Sequence, residues 1–155
     1  MIITFIQRAI MQSIPLLFGS TGETITEKGG NLNLGIPGIM YVGGISGVIG
    51  AFVYESSAAG INPFLSVLIP LLASMFGSLV MGLIYCVLTV TLRANQNVTG
   101  LAMTTFGVGF GNFFGGSLIK ITGSDIPSIA LSATSNCFKT TLPFAAKLGK
   151  VGDIF

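Results

Sequence analysis

Long apolar stretches separated by short polar ones dominate this chain of 155 residues. No charged residue lies between Lys28 and Glu55, between Glu55 and Arg93, or between Arg93 and Lys120. A membrane-crossing helix needs roughly 20 mostly apolar residues, each contributing about 1.5 Å of length. Because each of the three gaps is long enough for such a helix, the pattern predicts an all-α, polytopic bundle of transmembrane helices.

Four apolar segments are the predicted helices, at about Ile2–Phe18, Ile36–Tyr54, Pro63–Leu92 and Leu101–Ile119. The first is interrupted by Arg8 and Gln12, which are costly in lipid unless they face protein or water. We expect this helix to pack inside the bundle or to lie partly in the interface. The third exceeds the thickness of the hydrocarbon core, so it must tilt, kink at Pro70, or begin in the interface.

Polar sequence fills the remaining regions. Gly19–Gly35 and Arg93–Gly100 are predicted to be connectors between helices. The tail Lys120–Phe155 is rich in serine and threonine and contains no stretch of spanning length. We therefore expect a transmembrane helical domain over residues 1–119 and an extramembrane loop over 120–155 that leads to a further helix.

Composition excludes several classes of protein. Only 8% of the residues are charged and the mean hydropathy is +0.87, whereas globular domains average about 25% charged residues. The net charge of +2, without any basic run, argues against binding to nucleic acid. The chain has no histidine and no P-loop sequence. We therefore expect no metal site, no cofactor and no catalytic residues.

Glycine is unusually frequent, with 22 residues, and several glycines recur at the spacing G-x-x-x-G. Rows of small residues let the backbones of neighbouring transmembrane helices approach closely. We expect close helix packing at five of these positions, which are Gly43, Gly47, Gly107, Gly111 and Gly115.

The two connectors are rich in amide side chains. Six residues have donors and acceptors suited to the hydroxyl groups of a solute, namely Asn31, Asn33, Asn95, Gln96, Asn97 and Thr99. Irregular backbone at membrane depth is tolerated where it lines a cavity or is buried in protein, and transporters place such breaks near the substrate path. The six residues are therefore candidates for a translocation pathway. On composition alone, two ordinary loops remain the alternative.

Two motifs in these regions resemble a known family. The segment GETITEKGGNLNLGIPGIM, preceded by PLLFG, and the segment LRANQNVTGLAMTTFGVG at Leu92–Gly109 stand in the order found in permease subunits of ABC importers for simple sugars and nucleosides. The nucleoside-type branch is the most similar. The resemblance covers the whole chain but only the N-terminal half of a typical family member.

The resemblance implies a transmembrane permease subunit that forms part of the pathway for a nucleoside or a simple sugar. It also implies a bacterial inner-membrane location, a separate ATPase subunit, a second permease subunit and an extracytoplasmic substrate-binding protein. Both connectors would face the cytoplasm and the tail would lie outside. Three lysines of the tail would then be candidates for docking the binding protein, which are Lys139, Lys147 and Lys150. The alternative is a small structural or assembly subunit without a pathway of its own.

Overall fold

The computed structural model describes residues 2–57, 61–122 and 131–138, and the regular elements within these ranges are all helices. The prediction of an all-α bundle of about four helices is confirmed. The four long helices are α1 (Ile2–Lys28), α2 (Ile36–Ser57), α3 (Pro63–Cys86) and α4 (Gln96–Thr122). A π-helical turn over Val87–Thr91 continues α3, and a short helix, α5, spans Ser132–Phe138.

Helix α1 is longer than predicted, because it continues to Lys28 through the sequence that we expected to be a connector. Its hydroxyl groups are satisfied within the helix, because they donate to backbone carbonyls of the preceding turn, as in the bonds Thr21 Oγ1 to Leu17 O at 2.7 Å and Thr26 Oγ1 to Gly22 O at 2.6 Å. The predicted connector Gly19–Gly35 is therefore wrong in its first part. The observed connector is Gly29–Gly35.

Helix α4 also begins earlier than predicted. The Oδ1 atom of Asn95 accepts from the backbone nitrogens of Asn97 and Val98, at 3.0 and 3.2 Å, and so caps the first turn of the helix. The second connector therefore shrinks to residues 92–95, between the π turn and α4. Within it, Arg93 has a φ of 51°, a left-handed conformation that turns the chain at the end of the π turn.

Part of the predicted loop tail is helical. Helix α5 lies against α2 and α3, and the Glu55 carboxylate of α2 accepts a hydrogen bond from the backbone nitrogen of Thr134 at 2.7 Å. A carboxylate near a helix N-terminus is a favourable arrangement. The three lysines of the predicted docking site, Lys139, Lys147 and Lys150, lie outside the described residues.

Helix α2 is the centre of the packing. It runs antiparallel to α3, since Gly50 lies against Ala73 and Gly77 against Ser46. It runs in the same direction as α4, since Gly107 lies against Gly38 and Gly115 faces Ile45. The buried apolar core is accordingly small and consists of side chains from these three helices, namely Val42, Met81, Tyr85 and Met103.

Helix α1 is peripheral and touches α2 mainly where Gly19 faces Met40. Large apolar side chains of α1, such as Phe5 and Phe18, are about three-quarters exposed, at 73% and 74%. The apolar exterior is the surface that a helix presents to lipid or to other helices of an assembly.

Two helices of the described residues are long and apolar enough to cross a membrane, judged by length and composition. They are α2 over Ile36–Ser57 and α3 with its π turn over Pro63–Thr91. Pro70 lies inside α3, which continues through it. Helix α4 forms as predicted but is not among the two, because glycines, threonines and Asn112 dilute its apolar residues.

Candidate functional site

The two connectors meet at one end of the bundle. The backbone nitrogen of Leu32 donates to Gln96 Oε1 at 2.9 Å, and Gln96 Nε2 donates to the carbonyl of Gly30 at 3.5 Å. We call this region the connector end and define it as Gly29–Gly35, residues 92–95 and the first turn of α4. The candidate pathway residues of the two motifs, although they are far apart in sequence, thus lie together.

Side chains of α3 and α4 hold the first connector in place. The hydroxyl of Tyr85 donates to the carbonyl of Leu32 at 2.7 Å, and that of Thr104 donates to the carbonyl of Leu34 at 2.8 Å. Tyr85 is only 3% exposed. Sequence reasoning missed both residues, although a tyrosine in an otherwise apolar helix is a signal, because its buried hydroxyl needs a partner.

Glu23 of α1 contributes a carboxylate to the connector end. Its Oε1 accepts from the backbone nitrogen of Asn33 at 2.9 Å. Its Oε2 is buried and has no hydrogen-bond partner among the described residues, and the same holds for the Oδ1 of Asn31. Buried polar groups are normally paired, so these two acceptors are available to a donor from outside the described chain.

The six candidate pathway residues divide into two groups. Three of them already bond to backbone: Asn33 Oδ1 accepts from Gly35 N at 2.9 Å, Asn95 caps α4, and Gln96 joins the connectors. The other three differ in exposure, as Asn31 is half-buried, Asn97 is exposed and Thr99 is buried. The side chains of the first group therefore hold the backbone of the connectors and of the first turn of α4 in place. The side chains of Asn31 and Asn97 keep acceptor or donor groups that can bind other partners.

The candidate packing glycines face different neighbours. A Cβ atom on Gly107 would meet the backbone of Gly38, so α2 and α4 touch there backbone to backbone. A Cβ on Gly43 would meet Ser78 Oγ, and one on Gly47 would lie 3.2 Å from the carbonyl of Pro70. These positions leave little room for a larger side chain.

The remaining two candidate glycines lie further along α4. A Cβ on Gly111 would meet the ring of Tyr41, so this glycine makes room for a side chain rather than for a backbone. A Cβ on Gly115 would be 3.6 Å from Ile45 Cδ1, an ordinary contact. Sequence reasoning missed Gly38, which is the partner of Gly107 and has the same consequence for the crossing.

Comparison with known proteins gives one family. Residues 5–145 match the family described as branched-chain amino acid transport system / permease component. The chain is 33% identical over 105 residues to the nucleoside ABC transporter permease protein NupC of Lactococcus lactis, which covers 67% of this chain and 32% of that protein. It is 26% identical over 146 residues to the guanosine ABC transporter permease protein NupQ of Bacillus subtilis, which covers 94% of this chain and 43% of that protein.

A third similar protein comes from Haloferax volcanii and is provisionally named a glucose ABC transporter permease protein. It is 29% identical over 110 residues, which are 70% of this chain and 30% of that protein. The chain thus spans between 30% and 43% of the length of the curated relatives that it matches. No solved structure matches the chain significantly.

Proposed function

The chain belongs to the family described as branched-chain amino acid transport system / permease component, and we propose that it forms part of the translocation pathway of an ABC import system. We further propose a nucleoside or a simple sugar as the transported solute. The names of three relatives, which give a nucleoside, guanosine and glucose, support this choice over the amino acids in the family description.

The observation that carries the proposal is the connector end. Polar segments from two separate parts of the chain meet where four long helices begin or end, and they retain acceptors that no described residue satisfies. A solute with several hydroxyl groups supplies donors to such acceptors. Irregular backbone lined by polar side chains is also the arrangement that transporters use along their substrate path.

The proposal includes the parts that this chain does not supply. ATP hydrolysis would belong to a separate ATPase subunit, so this chain would need neither a cofactor nor catalytic residues. A second permease subunit would complete the pathway, and an extracytoplasmic binding protein would deliver the solute. The complex would span the bacterial inner membrane several times, with the connector end on the cytoplasmic side.

Reconstitution tests this function directly. Vesicles that hold this chain, the ATPase subunit, the second permease subunit and the binding protein should take up labelled nucleoside or sugar only when ATP is present. Vesicles that lack only this chain are the matched control and should show the background of empty vesicles. Equal uptake with and without this chain would overturn the proposal, and so would the absence of uptake from the complete set.

Substitutions distinguish a pathway subunit from a subunit that only supports assembly. Asn31→Leu and Asn97→Leu remove amides that no described backbone group uses. A deleted hydrogen bond to a neutral partner costs about 0.5–1.5 kcal/mol, so uptake should fall several-fold while the subunits still co-purify. Unchanged uptake kinetics in both variants would remove these amides from the pathway and favour the assembly role.

A further inference from the structure

An open groove between α2 and α4 lies away from the connector end. It has a volume of about 470 Å³, which is in the size range of small-molecule sites, and its lining residues include Met40, Tyr41, Gly44, Gly111, Asn112 and Gly115. The Tyr41 hydroxyl donates to Asn112 Oδ1 at 3.4 Å, across 71 positions of sequence. Both side chains are exposed, Tyr41 by 47%.

This polar pair lies inside the predicted membrane span, on the connector side of its midpoint. The 29-residue span Pro63–Thr91 has its midpoint at Gly77, and Gly77 packs against Ser46 and the carbonyl of Val42. Tyr41 is adjacent to Val42, and its ring lies over Gly111, next to Asn112. Tyr41 precedes Ser46 by five residues, which is about 7.5 Å along the helix, so the phenol and the amide lie inside the span but on the connector side of its midpoint.

A polar pair at that depth has a physical cost. An amide or a hydroxyl that enters an apolar environment without a full set of hydrogen bonds loses free energy, and intramembrane polar residues usually face protein or a water-filled path. The one bond between the two side chains is long, and within the described chain the Nδ2 of Asn112 donates to nothing. Lipid offers no partner for it, so the groove calls for a polar occupant.

The chemistry of the groove favours a planar heteroaromatic ring. A sugar ring carries hydroxyl groups on all sides, and a groove walled by glycine and apolar side chains with one amide and one phenol would leave most of them unsatisfied. A nucleobase instead has two flat faces and a polar edge. One flat face suits the face of the Tyr41 ring that is turned away from Gly111. An amide offers both a donor and an acceptor to such an edge.

We propose that Tyr41 and Asn112 form a nucleobase-binding site inside the membrane span, with the base stacked on Tyr41 and its polar edge bonded to Asn112. The site rests on the proposed transport function and selects a nucleoside over a simple sugar as its solute. Gly111 is a positioning residue, because a Cβ there would displace the Tyr41 ring.

The test measures KM for ATP-driven nucleoside uptake by the complete complex. Asn112→Ala should raise KM by about 2- to 10-fold, the effect of one lost hydrogen bond. Tyr41→Leu should raise it by about tenfold through lost stacking, whereas Tyr41→Phe keeps the ring and should have a smaller effect. Gly111→Ala should behave like a mild form of Tyr41→Leu, while Gly109→Ala, which has nothing within 4 Å of its added methyl, is the matched control.

Competition assays and co-purification distinguish a nucleobase from a sugar or another helix as the occupant of the groove. Free nucleobase should compete with labelled nucleoside in the parent complex and lose potency in Asn112→Ala, while free ribose should not compete.

Unchanged KM in both Asn112→Ala and Tyr41→Leu would overturn the site but leave the transport function intact. Uptake of sugar without nucleoside would overturn the choice of ligand, and loss of subunit co-purification in Asn112→Ala would identify the groove as a helix contact instead. Failure of the parent complex to transport any solute would count against the proposed function itself.

Discussion

The amides at the connector end and the amide in the α2/α4 groove differ in what they already bond. At the connector end, the side-chain oxygens of Asn33, Asn95 and Gln96 accept from backbone nitrogens of the first connector and of the first turn of α4. In the groove, Asn112 has one long bond to Tyr41 and a nitrogen that donates to no described residue. A cluster of amides is therefore less available to a solute than its composition suggests, and a single amide on a glycine-rich wall is more available.

The difference follows from local backbone structure. Connector residues lie outside helices, so their backbone nitrogens and carbonyls lack partners and take up nearby side chains. Helix α4 satisfies its own backbone, so a side chain in its middle has no backbone group to serve. Substitutions that remove side-chain acceptors should therefore disrupt the connector end. Substitutions that change the packing of α2 against α4 should disrupt the groove.

The largest expected effect comes from the helix crossing that joins the two regions. Gly107→Leu should force α4 away from the backbone of Gly38 and destabilise the detergent-solubilised protein by about 1–3 kcal/mol or more. The measurement is the melting temperature, with Gly109→Leu as the control, because a Cβ on Gly109 meets nothing within 4 Å. Equal melting temperatures for the two variants would show that α2 and α4 do not cross at this point.

A smaller effect is expected from the fastening amide of the connector end. Gln96→Leu leaves the backbone nitrogen of Leu32 without its acceptor, which costs about 1–3 kcal/mol when the group is buried and less here, where it is only partly so. Its neighbour Asn97 is exposed, so Asn97→Leu should change the melting temperature little. If the two variants have the same melting temperature, the Gln96 side chain does not stabilise the contact between the connectors. The amides of the connector end would then be as available to a solute as Asn112 in the groove.

The smallest effect is expected at Glu23. Glu23→Gln keeps an oxygen that accepts from the backbone nitrogen of Asn33, and it removes the charge of a part-buried carboxylate whose Oε2 has no partner among the described residues. Because a buried charge without a partner is costly, the melting temperature should stay the same or rise slightly. Glu23→Leu removes the acceptor as well and should lower it. A fall of the same size in both variants would show that the charge itself is satisfied, and would point to a cation at that oxygen.

Much of the fold was predictable because charged side chains are costly inside a bilayer and are therefore rare in the helices that cross it. The gaps between charged residues gave α2 and α3 almost to their ends, and the two motifs gave the family. The end of α1 was not predictable from composition. Glycine, serine and threonine indicate a loop in water, but their hydroxyl groups can also be satisfied inside a helix, as Thr24 Oγ1 is by Ser20 O at 2.9 Å.

Sequence patterns predicted which segments are rich in amides, but not how those amides are bonded. Sequence alone identified the amide-rich connectors, and the structure brings them together. The amides of Asn33 and Asn95 bond to backbone nitrogens two or three positions away, whereas that of Gln96 bonds to Leu32, 64 positions away. The long-range bond cannot be read from local sequence. The pairing of Tyr41 with Asn112 needs α2 and α4 to run in the same direction at a fixed offset, which no local pattern contains.

The alternating direction of the helices has an electrostatic consequence for the connector end. Helices α2 and α4 begin there and α1 and α3 end there, so two helix N-termini of about half a positive charge each face two C-termini of the opposite sign. The side chains around the connector end also carry no net charge, because Glu23, Glu27 and Lys28 in the last turns of α1 and Arg93 in the second connector give two charges of each sign. The region has no excess charge with which to attract an ion, so it suits a neutral solute. A nucleoside monophosphate should accordingly fail to compete for uptake, and effective competition by it would contradict this balance.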